Sequence, residues 1–298
     1  MCAPILLFVY KRLWHTQQTI QALIKNDLAA RSKLIIFSDG PKRESDITHV
    51  EQVRNYIKTI AGFESIEIIE SPSNKGLANS IIDGVTQSLM KYDSVIVIED
   101  DLVTSPYFLS YMNQGLALYE NDEAVISIHG YSYPVSGRLP QSFFIRGADC
   151  WGWATWRRAW SLFEKDGKTL LHQLQEGKLA YEFDYGNTYP FLQMLKDQIQ
   201  RKNDSWAIRW NASAFLKNKL TLYPGVSFVQ NIGFDSSGTH SNIADKVYES
   251  QLQSSSPELK RIVPEENKEA RQMIAEFFRK SRRNILQRIV DKGIRLLK

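Results

Sequence analysis

Cysteine is scarce. Only Cys2 and Cys150 occur in 298 residues, which excludes a disulfide framework and suits a reducing compartment. No apolar run reaches the roughly 20 residues of a membrane span. The apolar start, Met1–Tyr10, is short, has no basic segment ahead of it and runs into Lys11-Arg12, so it reads as a first buried strand rather than a signal peptide. A cytoplasmic protein is expected. Glycine-rich phosphate loops are missing as well: no G-x-G-x-x-G follows the first strand and there is no Walker A sequence, which disfavours a dehydrogenase or a P-loop ATPase. With 43% hydrophobic and 23% charged residues the chain is otherwise ordinary and globular, long enough for one large domain or two small ones.

Positive charge is missing from most of the chain and concentrated at its end. From Glu265 to Lys298 ten Lys or Arg stand against five Asp or Glu, a net +5, whereas residues 1–264 sum to −1. Within this stretch Ile274, Phe278, Ile285, Ile289 and Leu296 recur at helical spacing among Arg279, Lys280, Arg282, Arg283, Arg288, Arg295 and Lys298. Two readings fit that pattern. One is an interfacial helix on an anionic membrane, peripheral to its inner face; the other is a helix packed on its own domain with a solvated basic face. No aromatic stacking platform accompanies the charges, so nucleic acid is not an expected partner.

The first 130 residues alternate between strand and helix patterns. Strands are expected at Ile5–Tyr10, Leu34–Phe37, Ile66–Ile69 and Val95–Ile98, with helices at Thr16–Lys25, Ile47–Ile60 and Leu77–Met90 between them. Such alternation implies right-handed βαβ units and a mostly parallel central sheet flanked by helices. Ligands of these sheets bind beyond the carboxyl ends of the strands. That edge collects Arg12, the Ser38-Asp39-Gly40 turn, the Asn74-Lys75-Gly76 loop and Glu99-Asp100-Asp101.

The acidic triplet carries the most information. Val95–Ile98 is a strand buried on both faces, and three adjacent carboxylates at its exit repel one another unless a hard divalent cation or open solvent offsets the repulsion. The position after a buried strand favours the cation. Arg12 and Lys75 suit the charge of a phosphate, or are simply solvated. Asp39 suits a base or ribose, or only closes its turn.

The second half has its own constellations. Trp151-Gly152-Trp153, with Trp156 and Trp160 after it, offers flat apolar faces for sugar stacking and an acceptor wall, or else forms a tryptophan-rich corner of the core. Asn231–His240 surrounds one histidine with small and hydroxyl residues, the composition of a loop that closes over a diphosphate with His240 as a metal or phosphate ligand, or of a loop that is merely exposed. Gly233 and Gly238 are its expected hinges.

The segment Val97-Ile98-Glu99-Asp100-Asp101-Leu102-Val103-Thr104-Ser105-Pro106-Tyr107-Phe108 resembles the metal-site segment of inverting glycosyltransferases of the GT-A fold, in particular the N-acetylglucosaminyltransferase I class and its bacterial family 2 relatives. Arg12, Asp39, Asp122–Ile128, Gly152-Trp153 with Trp160, and Tyr223-Pro224 through His240 follow in that family's order, over roughly residues 4–241. The resemblance implies an α/β GT-A domain at 1–245, with a nucleotide-binding half at 1–130 and an acceptor half at 131–245, followed by a basic amphipathic helical tail at 246–298. It implies a UDP-sugar donor, possession of Mn2+ or Mg2+ by Asp101 with His240, contact of Asp100 with ribose or sugar hydroxyls, and Arg12 and Asp39 around the nucleoside, Asp39 on the uracil. N-acetylglucosamine is the family's donor sugar, and the acceptor is a glycan or lipid-linked hydroxyl of a surface polysaccharide or similar glycoconjugate.

An inverting transfer also needs a general base. The resemblance points to Asp204 in Lys202-Asn203-Asp204-Ser205-Trp206, with Asp149 as the second candidate. Where the family often carries a further acid, this chain has Ser205 and Ala207. Two other functions share the α/β pattern: a nucleotidyltransferase that makes sugar nucleotides, which should carry a Gly-rich basic loop where this chain has Lys11-Arg12-Leu13-Trp14-His15, and a carbohydrate-binding protein without catalysis, against which the intact triplet argues.

Overall fold

In the computed structural model, which describes residues 2–235 and 246–296, with side chains as far as residue 282, the chain folds around one eight-stranded sheet. The strands are β1 (Ile5–Val9), β2 (Lys33–Ser38), β3 (Ser65–Glu70), β4 (Ser94–Glu99), β5 (Leu102–Thr104), β6 (Val125–His129), β7 (Ser142–Arg146), β8 (Trp153–Trp156), β9 (Leu220–Pro224) and β10 (Val229–Asn231). The helices are α1 (Leu13–Ile24), α2 (Ile47–Ile57), α3 (Leu77–Lys91), α4 (Phe108–Leu118), α5 (Arg157–Trp160), α6 (Gly167–Glu176), α7 (Ala180–Phe183), α8 (Phe191–Ile199), α9 (Trp206–Leu216) and α10 (Lys268–Leu296).

The large sheet runs in the order β3-β2-β1-β4-β8-β6-β9-β7. Its first four strands are parallel, and β8 is antiparallel to both neighbours, β4 and β6. The mostly parallel α/β sheet expected of a GT-A domain is therefore present. Its central strands are buried on both faces because their sequences are unbroken apolar runs: every residue of β1 is buried, as is Val95–Ile98 in β4. At the edge, β3 alternates Glu67 and Glu70 with isoleucines and is largely exposed, the usual protection of an unpaired edge. Helix α3 buries Ala78, Ile81, Ile82, Val85 and Leu89, spaced to lie on one face of a helix.

Two features place the site. The order of strand addition switches sides at β1, with β2 on one side and β4, also parallel to β1, on the other, so the loops after β1 and β4 open side by side at the carboxyl edge. A second, two-stranded sheet pairs β5 antiparallel to β10, and this brings residues 229–233 back against the acidic triplet.

The C-terminal stretch is divided. Residues 249–267 are not helical; they strap across the domain, with Leu252 bridging Ser227 and Glu266 bridging Phe144, while Leu259 and Ile262 pack on the main core. The helix begins only at Lys268. Its Ala270, Ile274, Phe277 and Phe278 are buried against Phe143, Ile145 and Tyr223 of β7 and β9. This corrects the membrane-face reading for Ile274 and Phe278, whose apolar surface is already covered by the domain. Ile285, Ile289 and Leu296, with the basic residues from Arg283 on, fall outside the described side chains. Among the described residues no helix is long and apolar enough to cross a membrane.

Candidate functional site

A cavity of about 1600 Å³ opens at the carboxyl edge of β1, β2 and β4. Arg12, Asp39, Glu99, Asp100, Asp101, Asp149, Trp151 and Asp204, all singled out in the sequence, line it together. Separated by up to 192 positions in the chain, they converge because each sits at the end of a strand or at the start of a helix facing that edge.

The triplet is held by one guanidinium. Arg12 Nη2 donates to Asp100 Oδ1 at 2.5 Å and to Asp101 Oδ2 at 2.8 Å. Burial alone would lower the Arg12 pKa, but the charges of Asp100 and Asp101 raise it above the ordinary arginine value. Glu99 is pushed up to about 8, first by burial and then by the charges of Asp101 and Asp100, with Arg12 opposing. Asp100 is raised too, by burial, against the pull of Arg12. With Glu99 protonated at neutral pH, two carboxylates facing one guanidinium still leave an excess of negative charge inside the cavity.

That excess is what a divalent ion neutralises. Among the described residues no group of three metal-binding side chains converges as a closed cage. Mg2+ and Mn2+ sites that serve phosphates do not need one, since one or two carboxylates, water and the phosphate oxygens complete the shell. The residues present fit such a shared ion, with Asp101 at the cavity and Asp100 beside it. His240 lies outside the described residues.

Gly233 explains how the 229–235 segment fits so closely. Ile232 N–H donates to the Asp101 carbonyl at 2.9 Å, and a Cβ on Gly233 would stand 2.3 Å from Asp101 Oδ2 and 3.2 Å from Arg12 Nη1. The expected hinge is a place of backbone contact with the acidic cluster.

Asp39 has a different task from the one expected. Its carboxylate accepts from the backbone N–H groups of Gly40, Lys75 and Gly76 and from Asn74 Nδ2, all within 3.0 Å. Four donors use its acceptor capacity, so in this structure it braces the 74–76 loop and leaves no free lone pair for a uracil. The loop in turn presents Gly76, at φ +77°, and the first turn of α3 to the cavity, a helix N-terminus suited to an anion. Lys75 does not line the cavity; its ammonium pairs with Asp83 at 3.3 Å on the outer face of α3.

Asp204 enters from the other half of the chain. Ser205 caps α9 by accepting from Ile208 N–H, which leaves Asp204 just ahead of the helix. Its Oδ2 lies beside Gly76, 3.6 Å from where a Cβ would stand, and Arg209 Nη2 is 3.9 Å from Oδ1. At 65% side-chain exposure it is open to whatever occupies the cavity. Asp149 is more occupied. Its Oδ1 accepts from Cys150 N–H, its Oδ2 accepts from the Tyr133 hydroxyl at 2.5 Å, and His129 Nε2 lies 3.6 Å away.

The tryptophans separate into two roles. Trp151 lines the cavity, edge-on to Tyr131, Phe234 and Tyr248. Trp153, expected on the acceptor side, is fully buried and packs with Trp160, Trp206 and Trp210, so it is core. Gly152, at φ +61°, also points inward: a Cβ there would meet Val229 Cγ1 at 2.8 Å, and the close approach it permits is to the protein rather than to a ligand. Residues the sequence did not single out for the site include Cys150 and the tyrosines at 133, 185 and 189. Tyr185, Tyr189 and Phe191 reach the cavity packed on Phe278 of α10.

No family model matches the chain, and no curated protein matches it. Among solved structures, mannosyltransferase PcManGT from Pyrobaculum calidifontis, in complex with GDP-Man and Mn2+, aligns at 11% identity over 44% of this chain and 35% of its own, with a TM-score of 0.34. TarS of S. aureus aligns at 14% identity over 50% of this chain and 25% of its own, TM-score 0.32. Its 1-349 form aligns at 9% identity over 77% of this chain and 60% of its own, TM-score 0.42. The chain therefore spans less than two thirds of the length of each of these proteins.

Proposed function

We propose that this protein transfers a sugar from a nucleotide diphosphate donor, UDP-linked, to a hydroxyl of a glycan or glycoconjugate acceptor with inversion. The observation that carries this reading is the gathering of Arg12, the Glu99–Asp101 cluster, the 74–76 loop and Asp204 around one cavity at the carboxyl edge of the parallel strands. The acidic cluster frames a diphosphate, and Asp101, with Asp100 beside it, would hold the divalent ion. Bound there, Mn2+ or Mg2+ supplies Lewis-acid stabilisation of the departing nucleoside diphosphate. Arg12 fixes the orientation of both aspartates.

The general base in this reading is Asp204. Attack by the acceptor oxygen forms the new bond to the anomeric carbon while the bond to the diphosphate breaks, and the acceptor proton passes to a carboxylate on the opposite side of the sugar. Asp204 has an exposed oxygen free to take it; each oxygen of Asp149 already accepts one hydrogen bond, from Cys150 or Tyr133, and keeps room for a further donor, which suits a binding group better than a base.

The test is release of UDP from UDP-N-acetylglucosamine, UDP-galactose and UDP-glucose with Mn2+, together with calorimetric titration of UDP. Asp101→Asn should weaken Mn2+-dependent UDP binding by about tenfold or more, the loss of one charge-assisted contact of 1.5–3 kcal/mol. Full affinity in Asp101→Asn, or turnover that yields pyrophosphate in place of UDP, would sink the reading.

A further inference from the structure

Pockets for one small ligand hold roughly 300–1,000 Å³, and the cavity here has about 1600 Å³. Its two ends differ in chemistry. One is the acidic cluster with Arg12. The other is aromatic, built from Tyr133, Tyr185, Tyr189 and Tyr223 with Phe278 of α10 at their centre. Phe278 lies 4.6 Å from Tyr189, 5.1 Å from Tyr133 and 5.5 Å from Tyr185, ring centre to ring centre, the last two edge-on. Asp149 and Cys150 join the ends: the Cys150 thiol is pushed up by burial and by the charges of Asp149, Glu99 and Asp101 together.

The aromatic end is not an oily slot. Four of its six rings are tyrosines, with Phe191 packed beside Phe278, and a carboxylate stands in its wall, with the Tyr133 hydroxyl donating to Asp149. An alkyl or isoprenoid chain would strip water from these groups and return no hydrogen bond. A pyranose matches them, because its axial C–H face lies on an aromatic ring while vicinal hydroxyls around its rim donate to a carboxylate.

We propose that this aromatic end is the acceptor subsite, and that it takes a pyranose, stacked on Tyr189 with its hydroxyls on Asp149, so that the acceptor is recognised as a sugar and not by a lipid chain. The inference rests on the reading of the acidic end as the donor site. It makes the C-terminal helix part of the recognition surface, since Phe278 holds Tyr133, Tyr185 and Tyr189 in place.

Two titrations on the full chain test it. Calorimetry with UDP and Mn2+ reports the donor end, and saturation-transfer NMR with methyl β-galactoside and methyl N-acetyl-β-glucosaminide, in the presence of UDP and Mn2+, reports the aromatic end. At least one glycoside should receive saturation at its ring protons. Tyr189→Ala should weaken it roughly fivefold, the value of one stacking contact, with UDP affinity unchanged. Asp149→Asn, which conserves size, should weaken it without loosening α10, guarding against a folding artefact in the alanine variant. Wild-type protein that binds UDP but neither glycoside overturns the proposal, as does geranyl phosphate binding through a tail that Tyr189→Ala abolishes. Glycoside binding without any UDP binding upholds the sugar subsite and refutes the donor reading, and binding of neither ligand refutes both.

Discussion

His129 should make this protein acid-sensitive within a defined window. It lies at the end of β6, fully buried, with neither ring nitrogen in a hydrogen bond among the described residues, and Asp149 at 3.6 Å is too far to form one. Burial lowers its pKa from 6.5 to about 4, with the Asp149 charge opposing. The sign follows from linkage: the folded state holds the ring neutral while the unfolded chain takes up a proton, so stability is intact above pH 6.5 and falls as pH drops from there toward 4. At about 1.36 kcal/mol per pKa unit, the loss from this residue is about 2 kcal/mol at pH 5 and about 3 kcal/mol at pH 4. Against a total of roughly 5–15 kcal/mol for ordinary domains, that is a large share. The assay is urea unfolding of wild type and His129→Leu at pH 7.5 and pH 5. The leucine variant leaves no orphaned polar atom and should lose about 2 kcal/mol less between the two pH values, the titration of all other groups cancelling in the difference. Asp149→Asn removes the charge that favours imidazolium and should steepen the loss. Equal losses in wild type and His129→Leu would refute the argument.

Gly233→Ala should cost about 1–3 kcal/mol from overpacking and also weaken UDP binding with Mn2+, because the added methyl group displaces the Asp101 carboxylate; calorimetry and a melting curve measure the two effects. Trp153→Ala should destabilise by about 3–5 kcal/mol, whereas Trp151→Ala, at the cavity, should lower transfer more than it lowers the melting temperature. Deleting residues 268–298 uncovers Phe143, Ile145 and Tyr223 and removes three large buried apolar side chains, Ile274, Phe277 and Phe278, each worth about 1.5–3 kcal/mol. A truncated chain that melts like the full one would show that α10 is an appendage.

Much of the site was legible before the fold. Three of the four parallel strands, β1, β2 and β4, are apolar runs whose buried status is written in composition, and the turn and acidic residues after them fall at one edge by topology alone. The roles of individual side chains were less legible. Asp39 and Lys75 sit in loops whose sequence permits contact with a nucleoside, yet the carboxylate is spent on four donors of the 74–76 loop and the ammonium on Asp83. Trp151 and Trp153, on either side of Gly152, have the same chemistry, and one lines the cavity while the other is core.

The chain's order of residues alone determined the βαβ alternation, the burial of the central strands and the placement of Arg12, the acidic triplet and Asp204 at strand or helix ends, because hydrophobic periodicity and chain direction are local properties. Only the tertiary structure decided that Gly233 presses on Asp101, that α10 closes an aromatic chamber around Phe278, and that Asp149 stands between the two ends of one cavity. These depend on contacts between segments far apart in the chain, where packing distance and competition for hydrogen bonds, which no spacing encodes, settle what each side chain touches.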